Sequence, residues 1–159
     1  MKIYFLRHGI ATERGEWKGD DAERPLTDEG KAKTKEIADT LAKLDLGLEA
    51  ILTSPLTRAK QTAEIVAKKL NLESKMVEDK RLSPGFDADK LRDILLEHPY
   101  GDSVMVVGHQ PDFSETIGEL IGGGRVAIKK GGLALVDLPN THSKHGELVW
   151  LMTPKMMTK

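Results

Sequence analysis

The chain contains no cysteine. Disulfides, zinc-thiolate sites and thiol nucleophiles are therefore excluded. No apolar run approaches the ~18–20 residues needed to span a bilayer. The start, Met1 to Arg7, has one Lys and a short apolar run, too short for a secretory signal peptide and followed by no small-residue cleavage site. Neither sign of charge is in excess, with 24 Lys plus Arg against 25 Asp plus Glu. That balance gives no basic field to hold nucleic acid and no polybasic segment for an anionic membrane. Linkers, internal repeats and low-complexity stretches are also missing. The expectation is one globular domain over residues 1–159, cytoplasmic, with neither nucleic acid nor membrane as a partner. An anionic ligand would have to be met by a local cluster of positive groups.

What is present fits a packed core. The 159 residues are 39% hydrophobic and 31% charged, and a chain of this size buries about 68–70% of the surface its unfolded form exposes. Lys2 to Leu6 is a short β-rich apolar run suited to a buried strand. A polar stretch from Thr12 to Arg24, carrying Trp17, reads as a surface loop with the Trp as its anchor. Thr27 is set to cap a helix whose first turn holds Asp28 and Glu29 and whose buried stripe is Ile37, Ala38, Leu41 and Leu44. Gly30 in that first turn is a cost without a visible reason. Ala50 to Thr53 reads as a second strand. Ser54-Pro55 reads as the start of a helix with an apolar face of Ala59, Ala63, Val66, Ala67 and Leu70. Lys75 to Val77 reads as a weak strand. A helix marked by Leu91, Ile94 and Leu95 follows, with His98 near its end. Ser103 to Val107 is the clearest strand, and Pro111 to Ile121 reads as a helix stopped by Gly122-Gly123-Gly124. Arg125 to Ile128, Leu133 to Leu138 and Glu147 to Met152 read as three late strands, and the last residues are expected to fray. Alternating strands and helices predict an α/β layered fold with a largely parallel sheet, and the late strands predict antiparallel additions at one side.

Three polar clusters follow predicted strands: Arg7-His8-Gly9, Ser54 to Arg58, and Gly108-His109. In open parallel sheets ligands bind beyond the carboxyl ends of strands, so Arg7, His8, Arg58 and His109 can converge. Paired guanidiniums offer planar, bidentate hydrogen bonding to phosphate oxygens. A neutral imidazole is a nucleophile or a proton carrier. Phosphoryl transfer needs chiefly in-line positioning and charge stabilisation on the equatorial oxygens. Gly9 would let backbone approach closely. The arginines should disfavour a protonated His8, and its second ring nitrogen needs an acceptor such as a backbone carbonyl to fix the tautomer.

Phe5-Leu6-Arg7-His8-Gly9 resembles the Arg-His-Gly signature of the histidine phosphatase superfamily, which includes cofactor-dependent phosphoglycerate mutase. Arg24 to Gly30, Ser54 to Ala63 and Val106 to Pro111 resemble its later blocks, in order. The resemblance implies a phosphoglycerate mutase-like three-layer α/β sandwich. It also implies His8 as nucleophile, with Arg7, Arg58 and His109 binding the transferred group and no metal or cofactor. Gly9 and Arg24 join the expected substrate-binding set, Arg24 having loop anchorage as its alternative. Mutase-like members carry a Glu proton donor in a pattern like Arg-Leu-x-Glu, whereas this chain reads Arg81-Leu82-Ser83-Pro84. The missing acid and the absence of long insertions resemble the SixA branch of small phosphohistidine phosphatases. A phosphoramidate leaving group is a nitrogen base that can be protonated before cleavage, so it needs less general-acid help than an alkyl ester. The expected partners are a phosphohistidine-bearing signalling or phosphotransfer protein and phosphate. Two other readings stay open, a broad small-metabolite phosphomonoesterase of the same superfamily and a catalytically silent phosphoprotein-binding module. Asp20, Asp21, Glu23, Asp87 and Asp89 are possible substitute acids, each read first as a solvated loop charge. Lys129-Lys130 reads as a solvated face, and His142 and His145 sit in a loop with no acid or Cys in register for a metal.

Overall fold

A computed structural model describes residues 1–97 and 99–159, so the reading of His98 as a helix-end residue lies outside the described residues. The strands are β1 (Lys2–Arg7), β2 (Ala50–Thr53), β3 (Met76–Glu78), β4 (Ser103–Gly108), β5 (Leu133–Asp137) and β6 (Glu147–Met152). The helices are α1 (Asp28–Leu44), α2 (Thr57–Leu70), α3 (Ala88–Glu97), α4 (Asp112–Leu120) and α5 (Pro154–Met157). The strands form one sheet in the order β3-β2-β4-β1-β5-β6. The first four run parallel, and β5 and β6 add antiparallel on one side.

Because strand side chains alternate between faces, each central strand feeds two cores. Ile3, Phe5, Leu52, Val104 and Val106 pack with Leu91 and Ile94 of α3 and with Phe113 and Ile117 of α4. Tyr4, Leu6, Ile51, Met105 and Val107 pack on the other face with Ile37 and Leu41 of α1 and with Ala63 and Val66 of α2. This is the three-layer α/β sandwich expected from the sequence, and it explains why the central strands are apolar throughout.

Thr27 caps α1 as predicted, its hydroxyl accepting the Gly30 N–H at 2.9 Å. The reason for Gly30 is now visible. A Cβ there would lie 2.0 Å from the Ile10 carbonyl oxygen, because the segment leaving His8 runs directly over the first turn of α1. Helix α2 begins two residues later than expected, at Thr57. Ser54-Pro55 forms the preceding turn, with Ser54 Oγ accepting the Leu56 N–H. Arg125 to Ile128 is not a strand. Both edges of β1 are already paired with β4 and β5, and the Ile128 carbonyl accepts from Arg7 Nη1 at 2.9 Å instead. The tail, where a frayed end was expected, carries the further helix α5, in which Met157 is buried and its carbonyl accepts the Thr40 hydroxyl at 2.8 Å.

Candidate active site

Strand register builds the site. Arg7 stands opposite Gly108 in the β1–β4 pair, and Thr53 stands opposite Val107 in the β2–β4 pair. The residues that follow each strand, His8, His109 and Ser54, are therefore side by side. The His8 N–H donates to the Gly108 carbonyl at 3.0 Å and the Ser54 N–H to the Val107 carbonyl at 3.0 Å. The two imidazole centroids lie 5.3 Å apart. Arg58 enters from the first turn of α2, which starts over the same strand ends. Together Arg7, His8, Arg24, Arg58 and His109 line a cleft of about 450 Å³.

His8 is buried, and its Nδ1 lies 2.7 Å from the Gly9 carbonyl oxygen. A carbonyl only accepts, so Nδ1 carries the hydrogen and the Nε2 lone pair is left unshared. Burial first, then His109, Arg58 and Arg7, pushes the His8 pKa down to about 3, while the Gly9 bond opposes this. The expectation named the arginines as the cause, but desolvation leads. His109 is pushed down to about 4 by burial and by Arg58. Burial also lowers Arg7 and Arg58. A lowered guanidinium still carries its charge at neutral pH.

Four buried side-chain polar atoms lack a hydrogen-bond partner among the described residues: Arg7 Nε, Arg58 Nε, His109 Nδ1 and Thr116 Oγ1. Three of them belong to cleft residues. Leaving a buried donor unpaired costs about 1–3 kcal/mol. Two open guanidinium donors and an unpaired ring nitrogen beside an imidazole with a free lone pair are chemically suited to a tetrahedral oxyanion.

Gly9 enters the site differently from the expectation. It does not line the cleft. Its N–H donates to Thr62 Oγ1 at 3.0 Å, and a Cβ would lie 2.7 Å from Thr34 Oγ1, so the close approach is to α1. Its contribution is the carbonyl that sets the His8 tautomer. Arg24 anchors its loop from the cleft wall, donating to Asp21 Oδ1 at 3.0 Å and to the Thr12 carbonyl at 2.7 Å. Trp17 anchors the same loop through Nε1 to the Asp20 carbonyl.

Among the suspected acids, Asp20 caps a 3-10 turn at Asp21–Glu23, Asp87 accepts the Lys90 N–H, and Asp89 pairs with Arg92. Asp21 contacts the site through the arginines, and the Arg24 hydrogen bond, with Arg58 behind it, holds its carboxyl below the usual range. Pro84 lines the cleft where an acid was absent from the motif, and its loop is pinned by the Gly85 N–H on Asp112 Oδ2 at 2.8 Å. The carboxylates that do line the cleft, Glu13 and Asp112, were not among the suspects, and neither was Lys130 read as a cleft residue. Ser54, whose Oγ lies 2.8 Å from His109 Nε2, was also missed as a site residue. Its signal was its place directly after a strand in the block bearing Arg58.

The fold and cleft are those of a phosphatase built on a sheet-end histidine. The chain belongs to the histidine phosphatase superfamily, whose branch 1 family model matches residues 3–83. Within it, the chain is 30% identical to the phosphohistidine phosphatase SixA of Escherichia coli strain K12, over 97% of this chain and 94% of that protein. A solved structure of the protein histidine phosphatase SixA complexed with tungstate superposes with a TM-score of 0.86 at 30% identity, covering 98% of each chain. An uncharacterized protein of Picosynechococcus sp. strain PCC 7002 is 54% identical over 67 residues, a match spanning 42% of this chain and 40% of that protein.

Proposed function

We propose that this chain hydrolyses phosphohistidine on a signalling or phosphotransfer protein through a covalent phosphohistidine on His8. The observation that carries the reading is the set of buried cleft-residue nitrogens without a partner among the described residues, the guanidinium donors Arg7 Nε and Arg58 Nε and the ring atom His109 Nδ1, together with a His8 whose Nδ1 is already committed to Gly9. In the first step His8 Nε2 attacks phosphorus in line and the P–N bond to the substrate imidazole breaks, that imidazole leaving with a proton. Arg7, Arg24, Arg58 and His109 take the charge of the equatorial oxygens. In the second step water attacks the phosphoenzyme, phosphate departs and His8 returns to its neutral form. The tungstate held by the structurally similar SixA is a tetrahedral oxyanion, which supports this use of the cleft. Pro84 at the cleft wall supports a leaving group that needs little acid help. A cytoplasmic setting belongs to this reading.

The test is a side-by-side assay of phosphohistidine proteins, phosphotyrosine peptides and sugar phosphates, with and without EDTA. Phosphohistidine proteins should turn over fastest, and chelation should leave the rate unchanged. A denaturing quench at mildly alkaline pH with labelled substrate should trap a phosphoramidate, stable there and lost on later acid treatment, that His8→Ala abolishes together with turnover. Label on Ser or Asp, or faster turnover of a sugar phosphate, would overturn the reading.

A further inference from the structure

Ser54 sits where β2, β4 and β1 end together. Its Oγ lies 2.8 Å from His109 Nε2, and the two residues are 0% and 3% exposed. The same oxygen accepts the Leu56 N–H at 3.2 Å, in the turn that launches α2. The hydroxyl is thus fixed between the start of the helix bearing Arg58 and the imidazole of His109.

A serine hydroxyl has one hydrogen and two lone pairs, and a neutral imidazole has one N–H and one lone pair. Leu56 occupies one of the oxygen's lone pairs. With His109 Nε2 at 2.8 Å, the hydroxyl hydrogen has an acceptor if that nitrogen carries the imidazole's lone pair. In that arrangement the imidazole's own hydrogen lies on Nδ1, the buried ring atom of a cleft residue that has no partner among the described residues.

We propose that Ser54 is a positioning residue that fixes His109 as its Nδ1–H tautomer, so that an uncharged imidazole presents a hydrogen-bond donor to a phosphoryl oxygen. This rests on the reading of the cleft as a phosphoryl site. A charged imidazolium would donate from both nitrogens and need no selection. His109 is kept neutral by burial and by Arg58, so the site of its single hydrogen decides whether anionic oxygens meet a donor or a lone pair. An apolar residue at position 54 would remove that choice and leave Nε2 unpaired in the interior.

Long-range proton–nitrogen correlation spectra of the full chain, free and with orthovanadate, read the tautomer directly. His109 should show a protonated Nδ1 and an unprotonated Nε2. The opposite assignment would overturn the proposal. This measurement needs neither a variant nor a phosphohistidine protein, so it fails independently of the substrate assay. Ser54→Ala should move the hydrogen toward Nε2 and lower kcat on an aryl phosphate by roughly 10- to 100-fold, somewhat less than complete loss of an oxyanion donor. KM should change less, because the donor matters most where charge builds in the transition state. Ser54→Thr, which keeps the hydroxyl, should restore the Nδ1–H signature and most of kcat. A folded Ser54→Ala with unchanged kcat would also overturn the proposal. Should that variant fail to fold, the unmodified protein's spectrum and Ser54→Thr decide.

Discussion

Asp21 and Arg58, 37 positions apart, meet at two points. Arg58 Nη1 donates to the Asp21 carbonyl at 3.0 Å, and Nη2 lies 3.4 Å from the Asp21 carboxylate. The contact fixes the guanidinium and leaves its Nε as the unpartnered donor. It also sets a negative charge beside a site built for an anion. Asp21→Asn keeps an acceptor for Arg24 and removes that charge. Because the carboxylate is half exposed, its repulsion is screened and amounts to about 1 kcal/mol or less. The variant should therefore bind phosphate and vanadate more tightly by roughly two- to fivefold, read as competitive inhibition constants. Weaker inhibition would mean that Asp21 serves the site through orientation alone.

Gly30 predicts a second outcome. Alanine normally favours a helix over glycine by about 1 kcal/mol. Here its Cβ would strike the Ile10 carbonyl, a backbone atom that also accepts the Thr27 N–H at 3.0 Å and cannot turn away cheaply. Overpacking of this kind costs about 1–3 kcal/mol. An approach of 2.0 Å to a backbone oxygen belongs at the upper end of that range, so Gly30→Ala should lower the urea unfolding free energy by about 2 kcal/mol net of the helix gain, and should lower kcat, since Ile10 directly follows His8-Gly9. A variant as stable as the parent would contradict the packing described.

Gly30 also marks where sequence reasoning stops. The strands, the antiparallel additions and the convergence of Arg7, His8, Arg58 and His109 were legible, because apolar runs and polar residues at strand ends are local patterns. The burial that depresses His8, the Gly30–Ile10 contact and the pairing of Asp21 with Arg58 depend on which segments meet in space. Arg125 to Ile128 was misread for the same reason. Its composition suits a strand, but β1 had no free edge to offer it. Ser54 lies in the block that bears Arg58 and reads locally as a helix start, since nothing local says that its hydroxyl faces His109.

The two buried histidines predict how stability depends on pH. Unfolded histidine has a pKa near 6.5. In the folded chain His8 is pushed down to about 3 and His109 to about 4, burial being the leading cause in both. Between those values and 6.5 the unfolded chain binds more protons, so stability rises with pH. Their contribution is full above about pH 6.5 and is lost as pH falls through the folded values. Each histidine adds a slope approaching about 1.4 kcal/mol per pH unit. Urea unfolding between pH 7.5 and 4.5 should show the loss, and His8→Ala should show a slope shallower by about that amount. Parallel slopes would mean that His8 is not held neutral by the fold.

The last prediction concerns the leaving group. Pro84 faces the cleft where a proton donor would serve an ester substrate, and Asp21 is held ionised by its arginines. Substrates whose leaving group needs little protonation should therefore react faster. General-acid help is typically worth ~10²–10⁴-fold. Aryl phosphates should thus outrun matched alkyl phosphates by at least about two orders of magnitude. The gap should lie in formation of the phosphoenzyme, since its hydrolysis is common to all substrates. Single-turnover phosphorylation of His8 by an aryl and alkyl pair at saturating concentration measures it. Near-equal rates would mean that a carboxylate in the cleft donates the proton, and the structure narrows the suspects to Glu13 and Asp112. Asp112 already accepts the Gly85 N–H, so Glu13→Gln would be the first variant to make. Should that variant alone open the aryl–alkyl gap, Glu13 is the acid, and the case for phosphohistidine drawn from Pro84 falls. Family membership and the likeness to SixA would then be what remains in its favour.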